Sequence, residues 1–170
     1  MNTIYTIGHS IHDWETFLGL LNMHRVDVVV DARSAPVSRR AAFANKRTMP
    51  GLLEQEDMSY VYLGDALGGK PSEDDLYGQD GKPDYRKMRA QESFQAGVDA
   101  VLELAERETV VLMCSEEDPS KCHRRLLIEP AMLQRGVGLM HIRGDGSAQH
   151  SDALANSKAF AKQSQTMMPL

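Results

Sequence analysis

Apolar residues are spaced along this chain in two alternating patterns. Short β-branched or apolar runs at residues 3–7, 26–32, 60–63, 109–113 and 137–142 predict five strands. The run at 26–32 is nearly continuous, as expected for a strand covered on both faces. Between the runs the spacing turns helical. Trp14, Phe17, Leu18 and Leu21 fall at i, i+3, i+4 and i+7, and Phe94, Val98, Val101 and Leu102 repeat that face. Thr48 with Pro50 marks a helix start ahead of Leu52 and Leu53, and Leu126, Leu127 and Ile128 form the apolar part of a later helix. Strands alternating with helices predict an α/β fold: a single domain with a mostly parallel, doubly wound sheet of about five strands.

The polar breaks add detail. Ser10 is the expected cap of the first helix, with Asp13 in its first turn. Pro36 and two serines, Ser34 and Ser38, make residues 33–40 a loop. Residues 64–83 carry Gly68, Gly69, Pro71, Gly78 and Gly81, and exceed the usual length of a connection. Such a stretch is expected to be a lid or a mobile segment, with Gly68 and Gly69 supplying unusual backbone angles. Pro130 should kink its helix or end it early, because it removes an amide donor and crowds the preceding turn. The α/β domain is expected over residues 1–146. Residues 147–170 then form a polar tail with a short helix around 153–162.

Composition narrows the class. With 170 residues, 42% hydrophobic and 25% charged, the chain fits one globular domain with a sizeable core. No apolar run approaches a membrane span, and the N-terminus lacks the basic flank and apolar stretch of a signal peptide. Two cysteines are too few for a disulfide framework, so the cytoplasm is the expected compartment. A net charge of −5 argues against non-specific coating of nucleic acid. Arg33, Arg39, Arg40, Lys46 and Arg47 nevertheless cluster, so a local anion site is compatible with the global balance.

The chemistry-bearing residues gather where strands end. Cys114 closes an apolar run, and Cys122-His123-Arg124 follows eight residues on, at the start of the next helix. In open α/β sheets such ends line the ligand crevice. Cys114 can be a nucleophile if nearby positive charge lowers its pKa, with His9 or His123 as base and Glu116 as an acid–base partner; it can equally be a small buried hydrophobe. Cys122 would feel the helix dipole, and a Cys114–Cys122 disulfide is permitted by spacing although a cytoplasmic protein would keep both thiols reduced. Cys114, Cys122, His123 and His9 are suitable soft-metal ligands, but the Cys-x7-Cys-His spacing matches no common zinc signature, and no metal site is assigned. Arg33 and Arg124 offer forked donors for phosphate or carboxylate, with Ser10, Asp31, Cys122 and His123 completing a binding set. The structural alternative pairs the arginines with Asp31 or Glu116.

Several motifs in order carry a family resemblance: Tyr5-Thr6-Ile7-Gly8-His9-Ser10, Val30-Asp31-Ala32-Arg33, Leu67-Gly68-Gly69, Met113-Cys114-Ser115-Glu116 and Cys122-His123-Arg124, continued by His141-Ile142 and Asp145-Gly146. Over residues 3–146 the chain resembles the DUF488 domain family. The resemblance implies a compact prokaryotic α/β domain, and it carries no established reaction. Ala32 stands where the motif usually has valine, and Pro130 falls in a segment expected to be helical.

Two main classes of function remain. One is an enzyme acting on an anionic, phosphorylated or nucleotide-like small molecule at the Cys/His/Arg site. The other is a non-catalytic module holding a nucleotide or a nucleic-acid end. A protein-interaction domain is the third alternative. Walker, Gly-x-Gly-x-x-Gly and Gly-x-Ser-x-Gly motifs are absent, which removes several familiar enzyme classes, and no cofactor or oligomeric state is specified. His9, Arg33, Cys114 and Arg124 are expected to converge in one cleft at the carboxyl edge of the sheet, under a lid formed by residues 64–83.

Overall fold

A computed structural model describes residues 3–151. Its sheet has six strands in the order β3-β2-β4-β1-β5-β6. These are β1 (Ile4–Gly8), β2 (Val28–Asp31), β3 (Ser59–Tyr62), β4 (Val110–Cys114), β5 (Leu139–Ile142) and β6 (Ala148–His150). The first five are parallel, and β6 returns antiparallel to β5. The α/β, mostly parallel sheet expected from the sequence is therefore present, with one strand added. The turn after residue 142 carries the chain into β6, so the sheet extends past the boundary expected at 146. The helix anticipated at 153–162 lies outside the described residues.

Side chains alternate across the pleat and build a core on each face. Val28, Val30, Val110 and Leu112 pack with Phe94, Val98 and Val101 of α5 (Glu92–Ala105) and with Ala131 and Met132 of α6 (Glu129–Gln134). Val29, Val111 and Met113 point the other way, onto Phe17, Leu20 and Leu21 of α1 (Trp14–Met23) and Met49 and Leu53 of α2 (Met49–Glu54). Continuous Val/Leu runs suit strands buried on both faces. Period-2 burial on both faces also explains why β4 is apolar throughout.

Local expectations changed in four places. Asp13, not Ser10, caps α1: its carboxylate accepts from the Thr16 amide at 2.8 Å, while Ser10 takes a positive φ of 48° and donates its amide to Ser115. Residues 64–83 are not structureless. They hold α3 (Gly64–Leu67), a 3₁₀ turn at Asp74–Leu76 and a bridge between Tyr77 and Pro83, ahead of α4 (Tyr85–Arg89), with Leu67 and Leu76 in the core. Nor does Pro130 end its helix. Arg124–Ile128 winds as a π-helical turn that runs into α6, with Pro130 in the first α turn. The wider turn accommodates the ring, and the Leu126 carbonyl accepts from Arg89 Nη1 at 3.2 Å. Finally, Gly68 keeps an ordinary φ of −65°; it and Gly69 serve close packing instead of unusual angles.

Candidate functional site

Strand pairing aligns the ends of three central strands. Gly8 is in register with Cys114, and Asp31 with Met113. The His9 amide extends this ladder to the Cys114 carbonyl at 2.9 Å. A Cβ on Gly8 would lie 1.8 Å from the Glu116 carbonyl oxygen, so only glycine lets the 114–117 turn fold back onto β1. After β1 the chain passes to α1 on one face, and after β4 it passes to the π-helical turn on the other. A crevice opens where the two paths part.

That crevice is a cleft of about 260 Å³ lined by Arg33, Ser34, Gly69, Lys70, Tyr85, Cys114, Glu116, Lys121, Cys122 and His123. Gly69 and Lys70 form one wall, and a Cβ on Gly69 would come within 2.8 Å of His123 Cβ. The stretch singled out as a lid therefore packs against this cleft, anchored by its two core leucines.

At the base of the cleft the thiols meet. Cys114 Sγ lies 2.7 Å from Cys122 Sγ, inside van der Waals contact and outside the about 2.05 Å of a disulfide bond, and both cysteines are free. Arg124 Nε donates to Cys122 Sγ at 3.3 Å, and His123 Nδ1 lies 3.6 Å from it. The hydrogen bond from the Cys114 thiol, helped by His123 and Arg124, holds Cys122 well below the ordinary thiol range against the opposing effect of burial. Burial, reinforced by the bond to Cys122, pushes Cys114 well above it. The pair thus divides into a thiolate at Cys122 and a thiol donor at Cys114. His123 Nε2 donates to the Ala32 carbonyl at 2.8 Å, which turns Nδ1 toward the sulfur.

Arg124 is fully buried, with 0% of its surface exposed. It donates through Nη1 to Thr6 Oγ1 at 3.1 Å, and through Nη2 to the Glu116 carbonyl at 2.5 Å and the Glu117 carbonyl at 3.3 Å. Among the described residues no carboxylate pairs with it. The Thr6 hydroxyl in turn donates to His141 Nδ1 at 2.7 Å, and His141 Nε2 faces Ser151 at 2.9 Å and Glu129 at 3.6 Å. A buried polar chain thus runs from Cys122 across β1 and β5 to Glu129.

Arg33 is held differently. Its Nε and Nη2 grip both oxygens of Asp31 at 2.8 and 2.7 Å, Nη2 also donates to the Ala44 carbonyl, and Nη1 donates to His9 Nε2 at 3.1 Å. Tyr60 donates to Asp31 at 2.6 Å; burial, with that carboxylate, pushes the phenol's pKa upward. His9 Nδ1 donates to the Ser10 carbonyl, so both ring nitrogens are occupied, and burial with the adjacent guanidinium lowers its pKa.

Of the residues singled out from sequence, Arg33, Cys114, Glu116, Cys122 and His123 line one cleft, with His9, Asp31 and Arg124 directly beneath it. Glu116 is exposed at the rim and contributes its carbonyl to Arg124. Ser10 is engaged with Ser115 and does not line the cleft. Sequence reasoning gave no role to Lys70 or Lys121, and named Thr6 and His141 only as members of motifs. The signal for the last two was a polar residue inside an apolar strand run.

Among the described residues, Cys114, Cys122 and His123 bring potential ligand atoms within 4.8 Å of one another. Two thiolates on one tetrahedral zinc, at about 2.3 Å each, would stand roughly 3.7 Å apart. The observed 2.7 Å is about 1 Å shorter than that, and His9 is turned to Arg33 and does not join the group. No helix among the described residues is long and apolar enough to cross a membrane.

Residues 13–130 match the family described as "Domain of unknown function DUF488". No curated protein and no solved structure matches the chain. With more than half its length matched, the chain belongs to the DUF488 family.

Proposed function

We propose that this protein is an enzyme acting on an anionic small molecule, with Cys122 as its nucleophile. One observation carries the reading: a fully buried arginine whose only candidate counter-anion among the described residues is the sulfur of Cys122. A guanidinium remains charged, and burying it without a partner is costly. A Cys122 thiolate satisfies it and is itself a strong nucleophile.

The other roles follow from position. Cys114 donates its thiol proton to Cys122, and His123 Nδ1 is placed to receive a proton and return it. Arg124 is a positioning residue, because its donors are engaged with protein atoms. Lys70 and Lys121, exposed at the cleft, supply the positive charge that attracts an anion, since Arg33 is already paired with Asp31. The nucleophile's role thus moves from Cys114 to Cys122, and the free anion-binding donors from the two arginines to the two lysines.

Alkylation followed by peptide mapping tests this. Cys122 is expected to react well below the pH at which a free thiol ionises, and to react first. Iodoacetate, relative to iodoacetamide, should be favoured more than it is with free cysteine. Cys114 reacting first, or a Cys122 rate that follows the ordinary thiol titration, overturns the assignment of the nucleophile. An unchanged iodoacetate preference removes the anionic substrate.

A further inference from the structure

Two sulfurs in one cleft are more than a single nucleophile requires. We propose that the site carries out dithiol–disulfide exchange, taking an anionic low-molecular-weight disulfide as its substrate. This deepens the reading of Cys122 as nucleophile and rests on it.

The geometry divides the work between the sulfurs. Cys122 Sγ accepts from Arg124 Nε at 3.3 Å and faces His123 at 3.6 Å, so its negative charge is supported on the side of the π-helical turn. Cys114 Sγ sits 2.7 Å away at the end of β4 and is also within 3.7 Å of the Glu116 carbonyl. Forming a bond between the two sulfurs requires a displacement of well under 1 Å. Both residues lie in segments that meet at the cleft, so neither must be drawn from elsewhere in the fold.

The exchange proceeds in two displacements. The Cys122 thiolate attacks one sulfur of the substrate RSSR; the substrate S–S bond breaks, and RS⁻ leaves, taking a proton from His123 or water. Cys122 is then a mixed disulfide. The Cys114 thiol gives up its proton to solvent or to the departing RS⁻ and attacks Cys122 Sγ, expelling the second RS⁻. In total two protein thiols and RSSR become one protein disulfide and two RSH: the protein is oxidised by two electrons and the substrate reduced by two. A dithiol reductant returns the protein disulfide to two thiols and is itself oxidised to a disulfide.

The charge of the cleft selects the substrate. Lys70 and Lys121 face it against Glu116, with Arg33 already paired to Asp31, so a disulfide bearing carboxylates is drawn in and a dicationic one is repelled. A second chamber of about 330 Å³ shares Ser34 and Lys70 with the first and leaves room for a substrate larger than a single thiol; Asp65 and Glu73 also line it, so the carboxylates are held on the side of the first cleft.

The test uses the reduced full chain with glutathione disulfide as the anionic probe and cystamine as the cationic one. After acid quench, intact mass should show the loss of two hydrogens, with neither cysteine open to alkylation and two equivalents of glutathione released. Cys114→Ser should stop at a stable mixed disulfide on Cys122, and dithiothreitol should restore wild type. At low salt, glutathione disulfide should react at least tenfold faster than cystamine, relative to their rates with free cysteine. Both thiols remaining alkylatable, or a mixed disulfide that persists in wild type, overturns the exchange reaction. Equal relative rates for the two probes overturn the choice of an anionic substrate. If Cys122 is alkylated at low pH while glutathione disulfide leaves the pair reduced, this inference fails and the nucleophile assignment survives.

Discussion

Arg33 and Arg124 are buried within the same edge of the sheet, and the two meet different counter-ions. Arg33 lies against the carboxylate of Asp31, which Tyr60 also braces, and His9 closes the cluster. Arg124 lies against a sulfur, two carbonyls and a hydroxyl. A carboxylate neutralises its arginine at every ordinary pH and has little chemistry of its own in that role. A thiol neutralises its arginine only by ionising, and an ionised thiol is reactive. On the proposed reading, the Asp31 side of the cleft serves as framework and the Cys122 side combines support with reactivity.

The contrast breaks most readily at Asp31. Asp31→Asn keeps the shape and removes the charge, leaving Arg33 buried with no anion. Stability should fall by about 3–5 kcal/mol in denaturant titration. A loss under 1 kcal/mol would mean that the two arginines are not distinguished by their counter-ions. On the other side, Thr6→Val removes the hydroxyl between Arg124 and His141 and should cost about 1–3 kcal/mol, as expected when buried donors and acceptors lose a partner. The same variant should raise the pH at which Cys122 ionises, followed by thiolate absorbance; an unmoved titration would separate the polar chain from the site.

A third outcome concerns pH. Cys122 is ionised in the fold and protonated in the unfolded chain below the free-thiol value of about 8.5. Its contribution is therefore fully present above that value and is lost as pH falls toward the depressed folded one. Wild type should lose stability relative to Cys122→Ser by up to about 1.4 kcal/mol per pH unit on acidification below 8.5. Cys114 has the opposite shift, so its contribution is lost only as pH rises above the free-thiol range. Parallel curves for wild type and Cys122→Ser would remove the thiolate. The smallest effect is expected at Lys121→Ala, within about 0.5 kcal/mol of wild type in stability. That variant should still weaken the preference of Cys122 for iodoacetate, and an unaltered preference would take Lys121 out of the cleft's field.

What the sequence made legible follows from periodicity. Valine-rich runs located the buried strands, because two covered faces demand apolar residues at both parities of the pleat. Ala148-Gln149-His150 has no such pattern. It is a short, half-buried edge strand held by backbone pairing, so β6 was invisible. The motif residues pointed to one edge of the sheet, since strand ends follow from strand runs, and several of them do meet there. Their roles did not follow. Whether Arg124 faces a ligand or a sulfur depends on a π-helical turn and on a threonine 118 positions away, and neither is a local property of the chain. The Ser10 cap was a near miss, because Ser10 and Asp13 both carry a capping oxygen and the positive φ at Ser10 left the task to Asp13.

The π-helical turn at Arg124–Ile128 makes the site sensitive to residue count as well as to residue identity. Such a turn holds one residue more than an α turn. Ile128, Ala131 and Met132 are fixed in the core behind it, and Cys122 is fixed at the cleft ahead of it. Deleting one residue between them would let the segment wind as α-helix and rotate its two ends by about 100° relative to each other. Arg124 would then swing away from Cys122 with every functional side chain still encoded. Scanning substitutions, which preserve spacing, would leave this dependence unseen, whereas a one-residue deletion would expose it.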